Sequence, residues 1–293
     1  MYPFLLPFKE KEIIVVNMKK FFFVLGIYIW ALSSWATDYR AIDRHAKEAP
    51  PLRTTNGLSK LVNYLVKPYK NDQNKARVLL AWIVYNIDYD KARLKDITLG
   101  REKKDIEMVL DVEKNPRTGE LELKKGNIVV LNEEDTIQRT LKTRKGICKD
   151  IAKLYQHMCD IAGLQSEIIT GYACDQSQDL QSAEAHMWNA VKISGVWYFV
   201  DPTFALAGRE IRVRNQREAK KVKKQLKQGK NVDGINGISK RVDEQWFLVG
   251  QEDIIKTHFP FERRWQLQQK RTTFEDFLKK QCHTTLEEFM KQH

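Results

Sequence analysis

The chain has 293 residues, a formal net charge of +12, 42% hydrophobic and 30% charged residues, and a mean hydropathy of −0.52. It is too polar for a polytopic membrane protein and too rich in apolar and aromatic residues for a disordered one. Four cysteines, none in CxxC spacing, exclude a disulfide scaffold and a zinc finger.

The first predicted element is a leader. From Met18 the sequence reads Met-Lys-Lys, then Phe21 to Leu32 without a charge, then Ser33-Ser34-Trp35-Ala36. A short basic region, an apolar stretch and small residues before a cleavage point predict a secretory signal peptide cut after Ala36. The uncharged run Phe21 to Thr37 is 17 residues, short of the roughly 20 that a membrane span needs. Residues 1–17 then precede the natural start at Met18, and an uncleaved anchor is the alternative. In either case the body is expected outside the cytoplasm, periplasmic or secreted, where disulfides persist.

Residues 37–70 read as a helical lead-in. A helix follows over 72–87, with Ala76, Leu79, Leu80, Ile83, Val84 and Ile87 on one stripe and Asp72 as its cap. Asn115-Pro116-Arg117-Thr118-Gly119 reads as the turn of a hairpin. A further helix is expected over 133–142. Gly146-Ile147-Cys148 opens another, whose Ile151, Leu154, Tyr155, Met158 and Ala162 share a face and which Gly163 ends.

Beyond Gly163 the period changes from 3.6 to 2. Segments 166–174, 185–193 and 196–200 read as strands, the last two joined by Ser194-Gly195, and 245–249 is a fourth candidate. The tail is helical again, with capping boxes at Thr272 to Glu275 and Thr284 to Glu287. Helices, then strands, then helices predict a single α+β domain. The basicity is local: Arg209 to Lys230 carries ten Lys/Arg against two Asp/Glu in 22 residues.

Three residues carry chemistry. Cys148 opens a helix behind Gly146, which permits a tight approach. Unpaired N–H groups and the helix dipole favour a thiolate there, and a thiolate attacks carbonyls. If Ser194-Gly195 is the turn, Ile193 pairs with Val196, and His186 and Asp201 become diagonal neighbours on one face. The opposite face carries Met187, Val191, Ile193, Val196, Tyr198 and Val200, a packing surface. His186 then takes and returns the thiol proton while Asp201 holds its tautomer.

With these residues in view the chain resembles the transglutaminase-like superfamily. The motifs are Gly146-Ile147-Cys148, Ala162-Gly163-Leu164, Gly171-Tyr172-Ala173, His186-Met187-Trp188-Asn189 and Trp197-Tyr198-Phe199-Val200-Asp201-Pro202-Thr203. Ala81-Trp82-Ile83, Asn86-Ile87-Asp88-Tyr89-Asp90, Trp246-Phe247-Leu248, His258-Phe259-Pro260 and Trp265-Gln266-Leu267 look like its kyphoscoliosis-peptidase branch.

The resemblance implies a papain-like core, with the nucleophile helix packed on an antiparallel sheet and extra helices at both ends. It implies a Cys148, His186 and Asp201 triad acting through a thioester, without cofactor or metal. The backbone N–H of Cys148 supplies one oxyanion donor. Lys142-Thr143-Arg144 stands where a papain-type glutamine would sit, and Gln138 lies a turn further back. Phe204 stands where the branch tends to show a tryptophan. The implied organisation is 1–36 as extension plus signal peptide (Met18 to Ala36) and 37–70 as lead-in. The catalytic domain spans 71–267 with a basic insertion over 209–230, and C-terminal helices occupy 268–293.

The expected activity is that of an exported cysteine enzyme cleaving or transferring acyl groups at amide bonds of protein or peptide, with hydrolysis favoured. The alternative is a non-catalytic binding module of the same fold. The basic insertion offers a surface for an anionic envelope partner, and the export signal disfavours nucleic acid. A Cys159–Cys174 disulfide is possible. His157, His258 and His283 show no ligand-like partners, and Trp82 and Trp246 are expected in the core.

Overall fold

The computed structural model describes residues 38–101, 106–114, 121–130, 134–174, 183–211, 216–227, 238–267 and 271–292. The chain divides into two units, Met1–Tyr39 and Arg40–His293, and the second carries every element below. The leader before Thr37 and the turn over 115–119 lie outside the described residues.

The main unit opens with helices α1 (Arg40–Glu48), α2 (Leu58–Val66) and α3 (Asp72–Asn86). In α3, every residue from Ala76 to Val84 is buried. It is thus a central helix sheathed on all sides rather than the one-stripe surface helix the periodicity predicts. Its polar exception, Arg77, is fully buried and donates twice, at 2.8 Å each, to both oxygens of Asp43 on α1. The cap is Asn71, whose Oδ1 accepts from Asn74 N at 2.8 Å. Asp72 instead places its charge in the first turn, where the helix dipole favours it.

Next come β1 (Asp88–Tyr89), α4 (Lys91–Thr98) and an antiparallel pair, β2 (Ile106–Lys114) and β3 (Leu121–Val130). Then α5 (Glu134–Thr143) leads into β4 (Lys145–Gly146), which runs parallel to β1, Tyr89 opposite Gly146. Helix α6 (Cys148–Ile161) follows at once.

Strands β5 (Ser166–Ala173), β6 (Glu184–Ile193) and β7 (Val196–Val200) form an antiparallel sheet under α6. The β6–β7 register pairs Ile193 with Val196 and ends at Asn189 opposite Val200. It stops there because Asp201 turns to cap the short helix α7 (Pro202–Ala205). The basic stretch is an excursion: β8 (Arg209–Ile211) pairs antiparallel with β9 (Ile238–Lys240), bracketing α8 (Gln216–Lys227). Helix α8 exposes Arg217, Lys220, Lys221, Lys223 and Lys224 and buries Val222.

The fourth strand of the main sheet is not 245–249. Glu244–Trp246 is a 3-10 turn, and only Val249 makes a bridge, to Phe199. After α9 (Gln251–Ile254), β10 (His258–Pro260) adds to the other side of β5, giving the order β10-β5-β6-β7. A three-residue strand has too little periodicity to be read from sequence. The tail forms α10 (Phe274–Phe277), continued by a π turn over Leu278–Cys282, and α11 (Leu286–Gln292). Its caps lie one residue beyond the predicted pairs, at Thr273 with Asp276 and at Thr285 with Glu288. In each case the other Thr also offers a hydroxyl, and the chain trajectory chooses between them.

Cys159 and Cys174, which the sequence left open as a pair, are not bonded to each other. Cys174 bonds Cys282, and Cys159 is a free, fully buried thiol on α6. The bridge fastens the tail over β5 and β10, where Tyr172, Phe259, Phe274, Phe277 and Phe289 make an aromatic cluster.

Candidate active site

The face of the sheet expected only to present polar groups is packed. Ile169, Trp188, Ala190 and Phe199 form a second core with Ile254 and Trp265 from the segment after β9. On the opposite face Met187, Val191, Ile193 and Val200 are buried as expected, Tyr198 is half-buried, and Val196 is 54% exposed at the hairpin tip. A sequence cannot show that a distant C-terminal segment folds back to cover a face.

Cys148 lies at the first position of α6 and is half-buried. Its approach is fixed from two sides. Gly146 has no space for a side chain: a Cβ there would meet Asp150 Cβ at 2.9 Å and Thr140 Cγ2 at 3.3 Å. Close packing, rather than an unusual backbone turn, thus requires glycine. Asp150 Oδ2 accepts from Ile147 N at 3.1 Å and from Arg93 Nη1 at 2.5 Å, and Oδ1 accepts from Arg139 Nη2 at 3.1 Å. The buried carboxylate thereby ties α4 and α5 to the turn that carries Cys148.

His186 projects from β6, is 8% exposed, and its Nε2 lies 2.7 Å from Asp201 Oδ2. The Cys148 side chain adds to the electrostatics of the same ring. Because Nε2 faces the carboxylate, Nδ1 is the ring nitrogen left for the sulfur. Burial disfavours the charged ring, but the Asp201 carboxylate and the Cys148 side chain outweigh it and raise the His186 pKa to about 10. Asp201 is fully buried; burial raises its pKa, but His186 and His258 overcome that and hold it well below the ordinary carboxylate range. Its other oxygen, Oδ1, accepts from Thr203 N at 2.8 Å and Phe204 N at 3.0 Å as the cap of α7. The structure therefore joins His186 to Asp201 directly, and places Cys148 where its side chain acts on the ring.

His258, which shows no ligand-like partner in the sequence, has one in the fold. His258 is fully buried on β10, and its Nε2 lies 3.0 Å from the same Asp201 Oδ2. The ligand-type atoms of His186, Asp201 and His258 lie within 4.8 Å of one another, and the two short contacts make them a hydrogen-bonded group. The sheet register explains the meeting. Between β6 and β10 runs β5, and opposite His186 it carries Gly171. A Cβ on Gly171 would strike Phe259 O at 2.0 Å and Trp188 Cη2 at 2.8 Å, so strand and indole close over it.

Aromatic rings enclose the group. Phe204 stacks on His186 with ring centroids 4.8 Å apart, and packs edge-on against Trp246 at 4.9 Å. The position where the branch shows a tryptophan is therefore the cover of the imidazole. Trp246 is only half-buried and also packs on His258, whereas Trp82 is fully buried in α3.

The residues ahead of Cys148 are engaged elsewhere. Gln138 Oε1 accepts from the backbone and hydroxyl of Thr55, and Arg144 donates to Asn86 O and Oδ1. Tyr89 does face the site. The phenol is raised far above its ordinary range, first by burial and then by the negative groups around it, Cys148, Glu184, Asp201 and Asp150. The signal for Tyr89 was the Asn-Ile-Asp-Tyr motif, whose role only the parallel β1–β4 pair reveals.

Residues 117–202, a span that contains Cys148, His186 and Asp201, match the model of the transglutaminase-like superfamily. Kyphoscoliosis peptidase of Mus musculus is 24% identical over 247 residues, 82% of this chain and 29% of that protein. Hillarin of Drosophila melanogaster is 27% identical over 129 residues, 42% of this chain and 14% of that protein. The matched part thus spans less than a third of the length of these relatives. Among solved structures, the periplasmic domain of TgpA from Pseudomonas aeruginosa covers 66% of this chain and 52% of its own, with 15% identity and a TM-score of 0.33. The superfamily match and the kyphoscoliosis-peptidase relatives fit the family to which the motifs pointed.

Proposed function

We propose that this protein is a cysteine enzyme acting at amide bonds of protein or peptide, with Cys148 as nucleophile, His186 as base and Asp201 as the orienting acid. The observation that carries the reading is a buried imidazole 2.7 Å from a buried carboxylate, beside a cysteine at a helix start. The sulfur attacks the carbonyl carbon and the C=O electron pair moves onto oxygen. The backbone N–H of Cys148 and the Tyr89 phenol donate to that oxyanion. The imidazolium then gives its Nδ1 proton to the leaving amine as the C–N bond breaks, leaving a thioester.

Water, activated by the now neutral His186, resolves the thioester in hydrolysis; an amine does so in transamidation. Hydrolysis is the preferred outcome, supported by the name peptidase borne by the relatives that cover most of this chain. Export belongs to the same reading. The leader from Met18 to Ala36 supports it, and so does the Cys174–Cys282 bridge, since disulfides persist outside the cytoplasm. The exposed lysines of α8 support contact with an anionic surface.

Alkylation by iodoacetamide tests the chemistry. Cys148 should react fast at about pH 6 to 7, and His186→Ala should slow the reaction by about a hundredfold or more. An ordinary thiol rate that the substitution leaves unchanged would instead favour a binding module of the same fold.

A further inference from the structure

Asp201 Oδ2 is an acceptor with two lone pairs, buried beyond the reach of water. One lone pair takes the His186 Nε2–H. An empty second one would cost the desolvation penalty of an unmet buried acceptor and would leave the carboxylate free to rock about its Cβ–Cγ bond. His258 fills it, with Nε2 at 3.0 Å. An ionised carboxylate only accepts, so Nε2 of His258 must carry a proton.

The other ring nitrogen fixes that choice. Nδ1 of His258 lies 2.8 Å from Thr257 Oγ1, while the same hydroxyl lies 3.2 Å from Ile254 O. The hydroxyl has one proton: given to the Ile254 carbonyl, it would require a charged ring donating from Nδ1; given to Nδ1, it leaves the ring neutral, and the buried, ring-lined site decides for the second. With Nδ1 accepting, the proton resides on Nε2 and His258 is neutral. Burial, the largest influence on the ring, favours that uncharged form. The charged groups facing His258 among the described residues are Asp201, at the end of β7, and His186 on β6. The other neighbours are the rings of Trp188, Phe204 and Trp246, with centroids 4.8, 5.2 and 5.5 Å away.

We propose that His258 is a positioning residue of this site: held in its Nε2–H tautomer by the Thr257 hydroxyl, it occupies the second lone pair of Asp201 Oδ2 and locks the carboxylate against His186. The proposal rests on the Cys148, His186 and Asp201 reading and adds a fourth and a fifth member, Thr257 and His258, outside the span matched to the superfamily. His258 touches no reacting atom and works only through Asp201. Its neutrality matters, because a second cation on the same oxygen would compete with the His186 imidazolium for it.

The experiment is the rate of Cys148 alkylation by iodoacetamide against pH, in the full chain, for wild type, H186A, H258A, H258Q, T257V and T257S. Glutamine can donate to Asp201 and accept from Thr257, so H258Q should stay within about threefold of wild type, whereas H258A should lose about tenfold at pH 6, the scale of one unmet buried acceptor. T257V should lose rate in the same acidic range, and T257S should restore it. Thr257 lines an open pocket with Gln245 and Trp246, so T257V tests the tautomer even where H258A fails to fold. Folded T257V and H258A proteins with the wild-type pH profile would overturn the inference. A wild-type rate in H186A would overturn the underlying reading instead, whatever the His258 variants do.

Discussion

Asn189 Nδ2 donates to Ala152 O at 3.1 Å, and both residues are fully buried. Asn189 lies three residues beyond His186 on β6, and Ala152 lies one helical turn beyond Cys148 on α6. This single bond sets the height of the nucleophile helix over the strand that carries the imidazole. Asn189→Ala should therefore destabilise the protein by about 0.5–1.5 kcal/mol, the net worth of one hydrogen bond, since Ala152 O keeps its partner in the helical ladder. It should also slow Cys148 alkylation. Urea unfolding alongside the labelling rate checks both effects, and unchanged labelling would show that the bond does not set the register.

The His186–Asp201 pair makes stability depend on pH with a definite sign. The folded His186 pKa is raised from 6.5 to about 10. Its contribution is thus complete below pH 6.5 and is lost as pH rises through 10. Asp201 is depressed, so its share is present above the ordinary range near pH 4 and is lost on acidification. The difference in unfolding free energy between wild type and His186→Gln should shrink steadily from about pH 6 to pH 10. A difference constant over that window would contradict a charged imidazole.

The Cys174–Cys282 bridge spans a sequence separation of 108, long enough to restrict the unfolded chain strongly. Cys282→Ser, or reduction, should cost about 2–5 kcal/mol. Thermal melts with and without reductant measure this. Peptide mapping of the unreduced chain should give the 174–282 cross-link, with Cys159 recovered as a free thiol.

Gly171→Ala tests the packing that lets two imidazoles meet over one carboxylate. The added Cβ would sit 2.0 Å from Phe259 O, a backbone atom that must move with its strand. A loss of about 1–3 kcal/mol is expected from overpacking. Because β10 shifts, the acidic limb of Cys148 alkylation should change as it does in H258A. A stable variant with a wild-type profile would mean that β10 can move without consequence.

Local order fixed much of this protein before any coordinates. The 3.6-residue period located α6 to within a residue or two, and the period of 2 with Ser194-Gly195 predicted the β6–β7 register, because both depend on neighbours a few positions apart. That register is what put His186 and Asp201 on one face. His258, Thr257, Tyr89 and Cys282 were invisible as partners. His258 is 57 residues from Asp201, Cys282 is 108 from Cys174, and Tyr89 is set beside Gly146 only by a two-residue parallel pair. Contacts of that range leave no periodicity; they are decided when buried polar groups must find partners in a closed core, and only the tertiary structure shows which ones they find.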